Sequence, residues 1–240
     1  MKRIAVLIPS YNEAERIGLT IKSLRSHWSE STEYADITLF IYVIDDHSSD
    51  MTSEEADKAG ADVVLRLPER MGKGDAMEFG RDAANDADFF LFLDADLGET
   101  AGKALTLLKP LFENTADLVI GVLPHQEKGG GGGFVVRLAR KGIHELTGLE
   151  LKAPLSGQRA LTHAAIEKLP PFATGFGVEV GMTIDAYRAG LRITEIEVPL
   201  KHRVTKRDLS SWIHRFRQYI QVRKALISRI HALQKQRKDY

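Results

Sequence analysis

Asp94-Ala95-Asp96 is the part of this sequence best suited to chemistry. In an extended stretch residues i and i+2 point to the same side. Two carboxylates can therefore face one ion, and Ala95 keeps the space between them small. Hard oxygen ligands suit Mg²⁺ or Mn²⁺. An ion held there can clamp a diphosphate and stabilise the charge it gains as a leaving group. On its own an Asp-x-Asp triplet is usually a pair of solvated loop acids. Here it follows Phe89-Phe90-Leu91-Phe92-Leu93, a fully apolar run that reads as a buried strand delivering both acids to a sheet edge.

Two further clusters have the same character. Asp45-Asp46 ends a run of β-formers and is followed by Ser48, Ser49 and Asp50. The serines can cap a helix starting near Asp50, and one of the paired acids can accept hydrogen bonds from a nucleobase or ribose. Met71-Gly72-Lys73-Gly74 precedes a helical stretch. Its glycines allow close backbone approach, the helix N-terminus favours an anion, and Lys73 adds a positive charge. It is not a Walker loop, because the earlier glycine and the following Ser/Thr are missing.

The elements that must carry these clusters alternate along the first 120 or so residues. Strands are expected at 3–9, 37–44, 62–67, 89–93 and 117–122, with helices at 13–27, 50–59, 72–84 and 99–112. Strands apolar on both faces and separated by helices imply a mainly parallel central sheet flanked by helices. In such α/β sheets ligands bind beyond the carboxyl ends of the strands. Ser10 to Glu13, Asp45-Asp46, residues 70–73 and Asp94 to Asp96 all fall there. Beyond them, helices are expected at 134–146 and 176–189, a strand at 191–198, and one long amphipathic helix from 207 to about 237. Five consecutive glycines at 129–133 read as a lid over the site or as a linker. The expected division is residues 1–206 as a catalytic domain, with a nucleotide half at 1–122 and an acceptor-side half at 123–206, then a basic helix at 207–240.

In order, Pro9-Ser10-Tyr11-Asn12-Glu13, Val43-Ile44-Asp45-Asp46-His47-Ser48-Ser49-Asp50, Gly72-Lys73-Gly74 and Asp94-Ala95-Asp96 resemble the signature of family 2 glycosyltransferases with the GT-A fold. The resemblance implies a hexosyltransferase using a UDP- or GDP-sugar donor with Mg²⁺ or Mn²⁺. It implies a donor site drawn from Pro9, Tyr11, Asn12, Glu13, Asp45, Asp46, Lys73, Asp94 and Ala95. Glu13 and Asp46 would lie near the nucleoside, Lys73 near the phosphates and Asp96 on the metal. Asp94 would act through the ribose or through water on the metal.

Ser156-Gly157-Gln158-Arg159-Ala160-Leu161 resembles the Ser-Gly-Phe-Arg-Ala segment of polyprenyl-phosphate sugar transferases of the dolichyl-phosphate mannose synthase type. Thr174-Gly175-Phe176-Gly177-Val178-Glu179-Val180-Gly181 is similar to a Gly-Tyr-Gly-Val-Glu segment of glucosyl-3-phosphoglycerate synthases, which lies near donor sugar and acceptor. These likenesses imply a phosphate-bearing or lipid-linked acceptor met by Arg159, Gly177, Val178 and Arg203, and the flanking Gly175, Gly177 and Gly181 argue for a close approach that puts Glu179 on a sugar hydroxyl. His202 stands where the second family has a further metal ligand. The Gln that follows Asp-Ala-Asp-Leu in many lipid-phosphate enzymes, and can bind the metal, is replaced by Gly98.

An inverting transfer to an alcohol needs a general base, for which Glu179 and Asp185 are the candidates. A phosphate acceptor is already ionised and needs none, and a retaining transfer also avoids the classical base. A nucleotidyltransferase would begin with a glycine-rich loop after its first strand, where this chain has Pro9-Ser10-Tyr11-Asn12. A non-catalytic nucleotide-sugar-binding module is the other alternative.

The chain has 33 Lys/Arg and 33 Asp/Glu, unevenly spread. Residues 201–240 hold 12 of the cations and only two acids, leaving 21 and 31 in residues 1–200. The basic tail carries a seam of Leu209, Trp212, Phe216, Tyr219, Arg223, Leu226, Ile230 and Leu233. That seam can pack on the acidic body, pair with a second copy, or lie on an anionic membrane. There is no apolar run of 18 or so residues to span a bilayer, and the run at 4–8 is too short for a signal peptide. With no cysteine, disulfides and thiolate metal sites are excluded. The expected location is cytoplasmic, with peripheral contact at the inner membrane face as a further reading, and no nucleic-acid partner is expected.

Overall fold

The computed structural model describes residues 2–30, 36–124, 133–201 and 209–236, the last segment with side chains at 215–232 and 234. Seven strands form one sheet in the order β3-β2-β1-β4-β6-β5-β7. They are β1 (Lys2–Ser10), β2 (Ile37–Asp45), β3 (Val63–Arg66), β4 (Phe89–Phe92), β5 (Leu118–Val122), β6 (Arg159–Thr162) and β7 (Ile193–Glu197). β1 pairs in parallel with β2 over its whole length, from Lys2 opposite Ile37 to Ser10 opposite Asp45. It pairs in parallel with β4 on its other side.

Among the described strands β6 alone runs against its neighbours, antiparallel to both β4 and β5. The sequence marks this stretch as apolar but not as a strand. Reversal has a consequence for the site. Arg159 opens β6 opposite Phe92, the last residue of β4. The segment leading into β6 therefore arrives at the same sheet edge where Asp94 leaves β4.

Alternation along the strands separates two apolar layers. Leu7, Ile44, Phe90, Phe92, Ile120 and Leu161 face one of them. Ile4, Val6, Ile8, Ile41, Val43 and Leu91 face the other. That second layer is covered by α1 (Ala14–Glu30) through Ile17, Ile21 and Leu24, and by α2 (Thr52–Lys58) through Ala56. The first layer takes α3 (Lys73–Ala83) and, from the second half, α5 (Gly133–Thr147), α6 (His163–Lys168), α7 (Val178–Arg188) and α8 (Leu209–Gln236).

Residues 99–112, expected as one α-helix, are mostly 3-10: Gly98–Leu108, followed by a single turn, α4 (Lys109–Phe112). Ser23 of α1 is the visible cause. Its hydroxyl donates to the Glu99 carbonyl at 2.7 Å and accepts the Gly102 N–H at 3.0 Å. An inserted side chain that takes these backbone groups diverts them from the i→i−4 ladder, and 3-10 bonding is the tighter alternative. The short α6 was not expected either. It starts at Thr162, whose hydroxyl accepts the Ala165 N–H at 3.1 Å.

α8 packs on the body through Val222, Ala225, Leu226 and Arg229. This face differs from the expected seam. Leu226 is buried and Tyr219 meets the Phe134 ring at 5.7 Å, but Phe216, Arg223 and Ile230 are exposed. The side chains of Leu209, Trp212 and Leu233 lie outside the described residues, as do glycines 129–132. Among the described residues no helix is long and apolar enough to cross a membrane.

Candidate active site

The exits of β1 and β2 are laced together. Asn12 and His47 hold left-handed backbone, φ 55° and 61°. The Asn12 N–H donates to the Ser48 hydroxyl at 2.9 Å, and the Asn12 carboxamide oxygen accepts the Ser49 N–H at 2.8 Å. Glu13 N–H donates to the Thr52 hydroxyl at 2.9 Å, which sets the start of α1 against that of α2. Asp45 is fully buried and faces inward: it accepts the Ser48 N–H at 2.8 Å and the Ser53 hydroxyl. It shapes the turn, and of the paired acids Asp46 is the one aimed at the next loop.

Asp46 accepts the N–H groups of Met71 at 2.7 Å and Gly72 at 2.9 Å. Burial raises its pKa, a pull that these two amides and the Arg70 charge oppose without cancelling. Arg70, just before them, lies over the Tyr11 ring at 3.7 Å from its centroid. Pro9 sits opposite Ile44 at the ends of β1 and β2, so the donor-site candidates from Pro9 to Asp46 share one rim.

Lys73, the first residue of α3, reaches across to the other half. Its ammonium lies 2.6 Å from Asp94 Oδ1 and 2.8 Å from Glu179 Oε1. Burial works against its charge, but the two carboxylates outweigh it and raise the Lys73 pKa above its ordinary range. Asp94 is also clamped by Gln158, whose Nε2 donates to Oδ2 at 2.6 Å and whose Oε1 accepts the Asp94 N–H at 3.0 Å. Gly157 threads between them: a Cβ there would lie 2.5 Å from Asp94 Oδ1 and 2.6 Å from Lys73 Nζ. Neither Gln158 nor Gly157 was singled out from sequence. A signal existed, since Gln158 stands where the resembling segment has Phe, and a buried amide at an apolar position needs a partner.

Thr20 of α1 buttresses the Asp-Ala-Asp turn from behind. Its hydroxyl donates to the Ala95 carbonyl at 2.8 Å and accepts the Gly98 N–H at 2.9 Å. Asp96 is half-buried at this turn. Asp94 and Asp96 supply hard oxygens, and Asp94 already holds a cation in the Lys73 ammonium. Among the described residues no three His, Cys, Asp or Glu side chains gather into a metal-sized cluster. His202 and Arg203 lie outside the described residues.

The acceptor-side candidates make their contacts within the chain. Arg159 points into the protein interior. It is completely buried, donating to the carbonyls of Ser156 at 2.9 Å and Pro154 at 3.3 Å and to the Thr183 hydroxyl at 2.9 Å. Burial lowers its pKa to about 10. It holds the loop that presents Gly157 and Gln158. Gly177 admits the close approach of α8: a Cβ there would lie 2.8 Å from Ala225 Cβ and 2.9 Å from the Gln221 carbonyl oxygen. Val178 is buried in the apolar core. Glu179 is only 3% exposed, so its contact is Lys73. Asp185, the other candidate base, faces Arg229 Nε at 3.1 Å.

Beside Asp94 lies a cavity of about 980 Å³, lined by Leu123, Val136, Arg140, Lys152, Leu155 and Val198 among others. A second of about 810 Å³ continues along α5, sharing Arg140 and Lys152.

The family described as glycosyl transferase family 2 matches residues 5–164. Glycosyltransferase AglJ of Haloferax volcanii is 29% identical over 80% of this chain and 61% of its own length. Undecaprenyl-phosphate mannosyltransferase of Micrococcus luteus is 30% identical over 84% of each chain. The crystal structure of glucosyl-3-phosphoglycerate synthase from Mycobacterium tuberculosis with Mn²⁺, UDP and glucosyl-3-phosphoglycerate superimposes with a TM-score of 0.74 at 29% identity, covering 95% of this chain and 80% of that one. The GT-A architecture expected from the motifs is borne out by that likeness. The chain spans less than two thirds of the length of AglJ and of curated glucosyl-3-phosphoglycerate synthases, at 61%, 66% and 63%. With the matched segment running from β1 through β6, and with the Asp-Ala-Asp turn, Lys73 and Gln158 converging within it, this chain belongs to glycosyl transferase family 2.

Proposed function

We infer that this protein transfers a hexose from a nucleotide-diphosphate sugar, UDP- or GDP-linked, to a phosphate-bearing acceptor. The observation that carries this reading is the placement of Asp94. Lys73 and Gln158 hold it between the rim formed by Tyr11, Asp46 and Arg70 and the cavity bearing Arg140 and Lys152. The donor nucleoside is assigned to that rim, the diphosphate to Lys73 and the Asp-Ala-Asp turn, and the acceptor to the cavity.

Asp96 is the direct ligand expected for Mg²⁺ or Mn²⁺, with His202 as a second and Asp94 acting indirectly. The ion would supply charge stabilisation to the departing diphosphate. The bond from the anomeric carbon to the donor's phosphate oxygen breaks, and the nucleoside diphosphate leaves with the electron pair. An acceptor phosphate oxygen forms the new bond. The two candidate bases support this choice of acceptor. Glu179 is tied to Lys73 and Asp185 to Arg229, whereas a phosphate oxygen needs no deprotonation. Guanidinium and ammonium groups on the cavity wall suit such an anion.

The test is turnover of UDP-glucose and GDP-mannose with Mn²⁺, with and without 3-phosphoglycerate or a polyprenyl phosphate. The expected products are a nucleoside diphosphate and a glycosylated acceptor, at a rate that falls about a hundred-fold or more in Asp96→Ala. Release of pyrophosphate, or binding without turnover, overturns the reading.

A further inference from the structure

α8 has two faces, and only one meets the body. Val222, Ala225, Leu226 and Arg229 are buried. On the adjoining face Phe216 is 60% exposed, Ile227 and Ile230 are each 39% exposed and Ile220 is 36% exposed. With Arg223 these residues recur at spacings of four and three, a continuous stripe along the outside of the helix. Four large apolar side chains in one exposed row are not explained by packing, because the packing residues are elsewhere on the helix.

The charge around the stripe is of one sign. Residues 209–236 contain six Lys/Arg and no Asp or Glu. Arg229 is spent on Asp185 at the buried face. Arg217 and Lys224 flank the stripe and are exposed, and Arg223 lies within it. α5, which packs beside α8 through Phe134 on Tyr219 and Gly142 on Leu226, exposes Arg137 and Lys141 in addition.

We propose that the outer face of α8 docks this protein on an anionic lipid bilayer, with the α8 stripe in the interface and the cations of α8 on lipid head groups. A helix with a row of large apolar side chains and cations along the same face has the composition of interfacial helices, and each cation near an anionic surface adds attraction. Charge complementarity decides against a second copy on this face. Two α8 stripes laid together would bring Arg223 and its basic flanks against their equals, with no acid on the helix to offset them. The inference does not depend on which acceptor the site uses.

Flotation of the full chain with vesicles provides the test. One set is pure phosphatidylcholine and the other contains phosphatidylglycerol, each at low and high salt. Wild type is expected to float with the anionic vesicles at low salt and to be released by high salt. Ile220→Ser/Ile227→Ser should weaken binding about ten-fold or more. Arg217→Gln/Lys224→Gln should remove most of the preference for the anionic set. All four positions are exposed, so melting temperatures should match wild type within a few degrees. The proposal fails if wild type stays off anionic vesicles, or if both double variants float as wild type does. It also fails if light scattering shows a dimer that Ile220→Ser/Ile227→Ser converts to a monomer, since the stripe is then a protein interface.

Discussion

Gly157 shows how much a single missing methyl group controls. The Lys73–Asp94 contact passes through the space its Cβ would fill, with Asp94 Oδ1 at 2.5 Å and Lys73 Nζ at 2.6 Å from that point. The obstructing atoms are ends of side chains, so the fold can yield while the contact cannot. Gly157→Ala is therefore expected to leave the melting temperature nearly unchanged. It should lower kcat/KM for metal-dependent donor turnover about ten- to hundred-fold, since displacement by an ångström at a reacting centre costs that much. Wild-type kinetics in this variant would show that the Lys73–Asp94 geometry is not used in turnover. The acids themselves were legible in the sequence because a fully apolar strand led into them. Their clamp was not, because Gln158 is 64 residues from Asp94 and its partner becomes visible only once β6 is known to run backwards. A four-residue strand carries too little periodicity to declare its direction.

Helix-to-helix fit decides the elements of the second half. The glycines around Glu179 correctly announce a close approach, but glycine does not say what approaches. In the structure it is α8. A Cβ at Gly177 would press on Ala225 and the Gln221 carbonyl, one at Gly181 on Arg229, and one at Gly142 on Leu226. The first of these is the least forgiving, because backbone and a Cβ cannot swing aside. Gly177→Ala should destabilise the protein by about 1–3 kcal/mol, the usual cost of overpacking, as measured by urea unfolding. Adding Ala225→Gly removes one of the two collisions and should recover part of that loss, less the helix penalty of the new glycine. Full stability in Gly177→Ala would mean that α8 does not seat here. The nucleotide half did not present this ambiguity. Its loops end strands that are apolar on both faces and separated by helices, so a mainly parallel sheet and its ligand-binding edge follow from the pattern.

At the scale of the whole molecule one sheet and its apolar layer run through both parts of the chain, and a short series of polar side chains crosses the crevice above it. Asp46 holds the 71–72 amides on one side, Gln158 holds Asp94 on the other, and Lys73 bridges to both Asp94 and Glu179. Glu179 belongs to α7, which also carries Asp185, the anchor for Arg229 of α8. A ligand that fills the crevice between these groups adds links across the joint, and whatever binds only the folded state stabilises it by mass action. A nucleoside diphosphate at a hundred times its Kd should add about 2.7 kcal/mol to the stability of the whole unit. Because the halves share one sheet, this should shift a single melting transition upward rather than split it. UDP with Mn²⁺ is expected to raise the melting temperature more than the sum of either alone, since each would bind with the other's help. Asp96→Ala should abolish that excess while retaining the smaller rise from UDP, because Tyr11, Asp46 and Lys73 remain in place. If the excess persists in Asp96→Ala, the metal is held by other residues and the role assigned to this turn is wrong. If two transitions appear and UDP moves only one, the coupling through Lys73 is too weak to join the halves.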